Sequence, residues 1–233
     1  MKITWLGQAG LLFETEDISI MIDPYFSDSC EKRKARLKRH IPVRDEFVRK
    51  CPDVLILTHN HLDHTDPETL PYYLREDTRI TVISSREAHE LLLTYPGDHN
   101  CIIFEPGTRW TEGGVRMTGV KACHSEPSAF GVILEYEGKK YYVTGDTLYN
   151  TDILKNLPED IYAVFLPVNG VGNNMNMEDA SRFALDCGAK WAVPMHWGMF
   201  DEIDPLEFQH PGRVIPEVYE EIKFEKDRDV EDE

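Results

Sequence analysis

Val54-Leu55-Ile56-Leu57-Thr58-His59-Asn60-His61-Leu62-Asp63-His64 passes from an unbroken apolar run into a loop with four metal-ligating side chains in six positions. The apolar run predicts a buried strand from about Asp53 to Leu57. Imidazole and carboxylate groups are the side chains that bind Zn and similar divalent ions, and a loop leaving a rigid strand end turns several of them toward one point. His59 and His61, two apart, project to the same side, while Asp63 and His64 on the turning backbone reach toward a second ion. The plain alternative is a polar helix-entry loop whose histidines only cap and hydrate, and it does not account for so dense a set of ligands. Asp66-Pro67-Glu68 then predicts a helix start, with an N-cap and Pro at the first helical position.

Upstream, Ile3–Leu6, Leu11–Glu14 and Ile18–Ile22 predict a meander of short strands. Downstream, Ile80–Ile83 predicts a further strand, and Val115–Ala122, Phe130–Tyr136 and Lys139–Val143 a second antiparallel set with Glu137-Gly138 as its hairpin turn. Tyr162–Leu166 and Lys190–Val193 predict two more buried strands. They flank a helix over Glu178–Cys187, capped by Asn176 and stopped by Gly188. Two strand-rich halves, each followed by helices, imply an α/β fold of two sheets packed face to face with helices outside. We expect one domain over residues 1–224 and a frayed acidic tail over 225–233. The sequence after about Asp204 carries no assignment.

A chain of 233 residues buries enough surface to fold without disulfides. Its charged share of 29% is ordinary for a soluble protein, and no stretch approaches the ~20 apolar residues of a membrane span. The N-terminus enters strand-like sequence at once, without signal-peptide grammar, so a cytoplasmic location is expected. Five cysteines, odd in number and never in Cys-x-x-Cys spacing, argue against a disulfide framework and against a thiolate zinc site. A net charge of −17 opposes polyanions, so nucleic acid is not expected as a partner. The positive charge is segregated: nine of the 25 Lys and Arg residues lie between Lys32 and Lys50.

The run from His59 to His64 resembles the His-x-His-x-Asp-His signature of the metallo-β-lactamase superfamily. The resemblance implies a further His, then an Asp, then a last His, each just past a strand, and His124, Asp146 in Thr144-Gly145-Asp146-Thr147, and His196 at the end of Val193-Pro194-Met195-His196 stand there. Taken singly, His124 and His196 read as ordinary hydrogen-bonded histidines, and only their shared strand-end context gives them weight. The resemblance implies an αββα four-layer sandwich. It also implies His59, His61 and His124 on one ion, Asp63, His64 and His196 on a second, and Asp146 bridging. His40, His89, His99 and His210 lack that context and are assigned to surface or structural roles.

The resemblance implies a metal-dependent hydrolase that activates water, with Asp63, the catalytic candidate, or a metal-bound group handling the proton. The opening turn Trp5-Leu6-Gly7-Gln8-Ala9-Gly10, the Gly145-Asp146-Thr147-Leu148-Tyr149 loop and the Asn176–Ala184 helix entry are similar to the L-ascorbate-6-phosphate lactonase family. Asp23-Pro24-Tyr25-Phe26-Ser27 and His196-Trp197-Gly198-Met199-Phe200 resemble the branch that cleaves N-acylated phosphatidylethanolamines as a phospholipase D. A lactone or a phosphorylated small molecule is the expected substrate, with a phosphodiesterase or phospholipase D-like activity as the alternative. His and carboxylate ligands without thiolate suit Zn, Mn and Fe alike, and one or two ions remain open. Lys32, Arg33, Arg36 and Arg39 are the candidate residues for an anionic substrate group, since Lys and Arg suit phosphate oxygens. The alternative for them is a solvated helix face. A non-catalytic metal scaffold and a redox role are the remaining alternatives, and self-association is left open.

Overall fold

Lys2–Gly7 (β1), Gly10–Glu14 (β2) and Ser19–Ile22 (β3) form the expected antiparallel meander in the computed structural model, which describes residues 1–224. The acidic tail expected over 225–233 lies outside the described residues. After β3 the sheet turns parallel, through Val54–Leu57 (β4), Thr81–Ser84 (β5) and Asn100–Ile103 (β6), in the order β1-β2-β3-β4-β5-β6. The second sheet takes Arg109–Glu112 (β7), Val115–Lys121 (β8), Phe130–Tyr136 (β9), Lys139–Val143 (β10), Ile161–Pro167 (β11) and Trp191–Met195 (β12), ordered β12-β11-β10-β9-β8-β7. Every side chain of β4 is buried, as expected for a strand covered on both faces.

Between the sheets, alternate side chains meet in one apolar layer that includes Trp5, Phe13, Ile56, Phe130 and Phe165. Phe13 of the first sheet lies edge-on to Phe165 of the second at 5.7 Å. The other faces carry helices. Ser29–Arg33 (α1), Asp45–Val48 (α2) and Arg86–Leu92 (α3) accompany the first sheet, with Val48, Ala88 and Leu92 packed among Leu55, Leu57 and Val82. Thr151–Leu154 (α4) and Met177–Asp186 (α5) cover the second, with Ile153, Phe183 and Ala184 packed among Tyr142, Val164 and Leu166. The four layers are those of the metallo-β-lactamase sandwich. No helix among the described residues is long and apolar enough to cross a membrane.

The helix expected from Asp66 does not form. Pro67 is followed four residues later by Pro71, which has no N–H and whose ring clashes with the carbonyl one turn back, so only a 3-10 turn at Leu70–Tyr72 is left. Asp66 instead accepts from Thr69 Oγ1 at 2.5 Å and from Glu68 N at 3.1 Å. Two strands went unread, β6 and β7. Both are sheet edges whose side chains are only half-buried or exposed, so they lack the apolar pattern of inner strands.

The unassigned stretch after Asp204 closes the opposite edges. Tyr219 N donates to Trp5 O, Ile222 N to Ile3 O and Val214 N to Ala192 O, so one segment satisfies backbone groups on both β1 and β12. Within each sheet the strands that lead to the candidate site run in one direction: β1, β3 and β4 in the first, β8, β10, β11 and β12 in the second. Their C-terminal ends gather the loops that carry the chemistry.

Candidate metal centre

Each site residue stands just beyond such a strand end: His59 to His64 after β4, His124 after β8, Asp146 after β10 and His196 after β12. One ligand atom from each of His59, His61, His124 and Asp146 lies within 4.8 Å of the others, and Asp63, His64 and His196 form a second such group. The seven side chains singled out in the sequence therefore come together. The His59 and His64 rings are 3.9 Å apart between centroids, His59 and His124 4.5 Å, and His61 and His124 4.8 Å. Asp146 lies between the groups: Oδ1 is 3.3 Å from His64 Nε2, and Oδ2 is 3.5 Å from His196 Nε2 and 3.9 Å from His59 Nε2.

Nε2 of His59, His64 and His124 is buried and has no hydrogen-bond partner among the described residues. A buried polar atom left without a partner costs about 1–3 kcal/mol, and three such atoms, each within 4.0 Å of an Asp146 oxygen, fit bound cations that accept their lone pairs. The opposite nitrogens are held by protein. Thr58 Oγ1 is 3.1 Å from His59 Nδ1, Asp23 Oδ2 is 2.8 Å from His64 Nδ1, and Asn169 Nδ2 is 2.8 Å from His196 Nδ1. Such outer partners fix the ring orientation of a metal-binding histidine.

Electrostatics divide the rings into two kinds. Burial drives the His59 imidazole well below its usual pKa, reinforced by the neighbouring His64 charge, and burial likewise lowers His124. Burial opposes charge on His64 and His196 as well, but Asp146 leads a set of carboxylates that outweighs it. His64 is raised well above its usual value, helped by Asp23 and Asp63, and His196 is lifted to about 10. Burial pushes Asp63 and Asp146 upward, yet the His64 and His196 charges hold both carboxyls below their ordinary range.

Four buried residues that the sequence reading left without a role complete the surroundings. Asp23, after β3, accepts Thr58 N at 2.8 Å and Thr58 Oγ1 at 2.5 Å as well as facing His64. Asn174 Nδ2 donates to Asp146 Oδ2 at 2.9 Å, and Glu126 Oε2 accepts from Asn60 N at 2.5 Å, inside the His59–His64 loop. Gln8, after β1, donates to Asp63. A signal was available for Gln8 and Asp23, each a polar residue directly after an apolar strand. Nothing local marks Glu126 or Asn174. Asp23 and His196 have φ of +45° and +62°, a conformation uncommon outside glycine, and such strain concentrates at functional sites.

The four basic candidates separate. Lys32 Nζ pairs with Glu68 at 2.6 Å. Arg39 is buried, donates to the Tyr25, Ser27 and Ile41 carbonyls and stacks on the Tyr25 ring at 4.7 Å. Arg33 and Arg36 are exposed and form no ion pair among the described residues. Their segment is anchored by Lys32 to Glu68, in the turn after the His59–His64 loop, and by His40 N to Met199 O, in the loop after His196.

Residues 19–197 match the family model described as the Beta-lactamase superfamily domain. A UPF0173 metal-dependent hydrolase of Staphylococcus haemolyticus is 30% identical over 251 residues, covering 96% of this chain and all of its own. Among solved structures, Igni18, a metallo hydrolase of the archaeon Ignicoccus hospitalis, shares the fold with TM-score 0.76 at 20% identity, covering 97% of this chain and 99% of its own. An isothiocyanate hydrolase from Delia radicum gut bacteria matches with TM-score 0.71 at 18% identity, over 96% and 99% of the two chains. With that match over most of its length, and with the two-sheet sandwich and its His/Asp cluster, the chain belongs to the metallo-β-lactamase superfamily and, within it, to the family of the UPF0173 metal-dependent hydrolases.

Proposed function

We propose that this chain is a metal-dependent hydrolase that holds a pair of divalent ions, Zn or Mn with Fe as the alternative, and cleaves a lactone or a phosphorylated small molecule. The observation that supports the reading is the convergence of seven His and Asp side chains, among which the buried Nε2 atoms of His59, His64 and His124 have no hydrogen-bond partner among the described residues. A divalent pair bound there lowers the pKa of water and polarises a carbonyl or phosphoryl oxygen. In this reading His59, His61 and His124 would hold one position and Asp63, His64 and His196 the other, with Asp146, which lies between the groups, shared by both.

Asp63 is the catalytic acid–base group in this reading. Its side chain is 18% exposed against 6% for Asp146, so it is the carboxylate that faces substrate. Oδ2 takes the contacts from Gln8 and His196, and Oδ1 is left to receive a proton from water and return it to the leaving group. Arg33 and Arg36 supply the positive charge for an anionic part of the substrate. That same charge favours a phosphodiesterase or phospholipase D-like hydrolase as the second reading. Five unpaired cysteines suit a reducing, cytoplasmic compartment.

Elemental analysis of the purified protein comes first, followed by assays of lactones, phosphodiesters and N-acyl phospholipids with the metal found. We expect turnover of one substrate class, abolished by a chelator and restored by the metal. An Asp63→Ala variant keeps the fold and loses activity by orders of magnitude. Chelator-insensitive turnover, or full activity in Asp63→Ala, contradicts the proposal.

A further inference from the structure

Gln8 is a buried carboxamide, 2% exposed, at the turn between β1 and β2, and its backbone has φ +50°. Its side chain touches two members of the Asp63, His64, His196 group that lie far apart in sequence. Nε2 is 2.8 Å from Asp63 Oδ2, 3.1 Å from His196 Nδ1 and 3.2 Å from His196 Nε2. Its main chain does something else: Gln8 O accepts from Trp5 Nε1 at 3.1 Å and from His196 N at 3.0 Å, tying the first sheet to the end of β12 in the second.

We infer that the Gln8 side chain is a positioning residue for one of the two metal positions, the one built from Asp63, His64 and His196. The inference rests on the reading of the cluster as a two-ion site. Asp63 is the most exposed of the clustered carboxylates and comes from a loop of the first sheet, whereas His196 comes from the second sheet. Neither sheet alone sets the spacing of Asp63 and His196, and the Gln8 carboxamide is in contact with both. By holding Asp63 Oδ2, it also leaves Oδ1 as the oxygen open to substrate. The other group does not use Gln8: among the described hydrogen bonds, Gln8 makes none to His59, His61, His124 or Asp146.

Because the main-chain tie between the sheets, His196 N to Gln8 O, does not involve the side chain, truncating the side chain leaves that tie in place. Calorimetric titration of metal-free wild type, Gln8→Ala and Gln8→Met with Zn2+ tests the inference, with the melting temperature of each metal-free protein as the control. Gln8→Met keeps the length and bulk of the side chain and removes only its amide. Wild type is expected to bind two ions. Both variants are expected to bind one with unchanged affinity and the other about 10- to 100-fold more weakly. Two ions bound by both variants with wild-type affinity overturn the inference and leave the metal-dependent reading standing. Equal weakening of both ions in Gln8→Met, or a single ion in wild type, also overturns it. Wild type that binds no Zn2+, Mn2+ or Fe2+ removes the metal-dependent reading and this inference with it.

Discussion

Asp23 acts on the cluster from behind, through a single 2.8 Å contact to His64 Nδ1, while Thr58 N and Oγ1 hold the same carboxylate still. Replacing it by Asn keeps the shape but removes the charge that turns the ring and raises its basicity. Asp23→Asn is therefore expected to weaken metal binding by roughly 10- to 100-fold with little loss of secondary structure, measured by metal titration alongside circular dichroism. Unchanged affinity would show that Thr58 and the backbone suffice. His64 and His196 carry a second consequence. Their pKa values are raised in the metal-free protein, that of His196 to about 10, so both hold protons at pH 7.5, whereas His59 is neutral. A cation takes only neutral imidazole, so loading displaces those protons, and affinity rises with pH from neutrality toward 10. Calorimetry at pH 7.5 in buffers of different protonation enthalpy should find about two protons released as both positions fill. No release would contradict the charge assignment.

Helix α5 shows where local sequence is decisive. Asn176 accepts from Asp179 N at 2.9 Å, Gly188 ends the segment at φ +67°, and Ala180, Phe183 and Ala184 form its buried face. Asn176→Ala should cost about 1 kcal/mol of stability through the lost cap, read as a lower urea midpoint with unchanged slope. The inner strands were legible for the same reason, since a run such as Val54–Leu57 has no favourable place except between two covered faces. Strands β6 and β7 and the segment beyond Asp204 were not, because edge elements take their pairing from a neighbour and not from their own pattern. Gly212 in that segment illustrates the point: an added Cβ would lie 2.0 Å from Lys190 O. A Gly212→Ala change should cost roughly 1–3 kcal/mol in the same assay, which nothing in its local sequence announces.

At the scale of the molecule, the candidate ligands come from both sheets, His59 to His64 from the first and His124, Asp146 and His196 from the second, so bound metal clamps the two together. The apolar layer between the sheets is large and independent of the cluster. Metal removal should therefore leave a cooperatively folded protein whose melting temperature is lower by roughly 10 to 20 °C than with both positions filled at metal near 100-fold over Kd. Complete unfolding on chelation would instead favour the structural-scaffold alternative. The residue types, their clustering between His59 and His64 and the strand-end position of His124, Asp146 and His196 were written in the sequence, because ligand chemistry and apolar periodicity are local properties. The tertiary structure alone decided which protein groups stand behind those ligands, that Asp23, Gln8, Asn169 and Asn174 hold them, and that Arg39 serves the backbone while Arg33 and Arg36 form no ion pair among the described residues. Those assignments depend on distances between chain segments up to 188 residues apart, as between Gln8 and His196, and only the packing of one sheet on the other sets such distances.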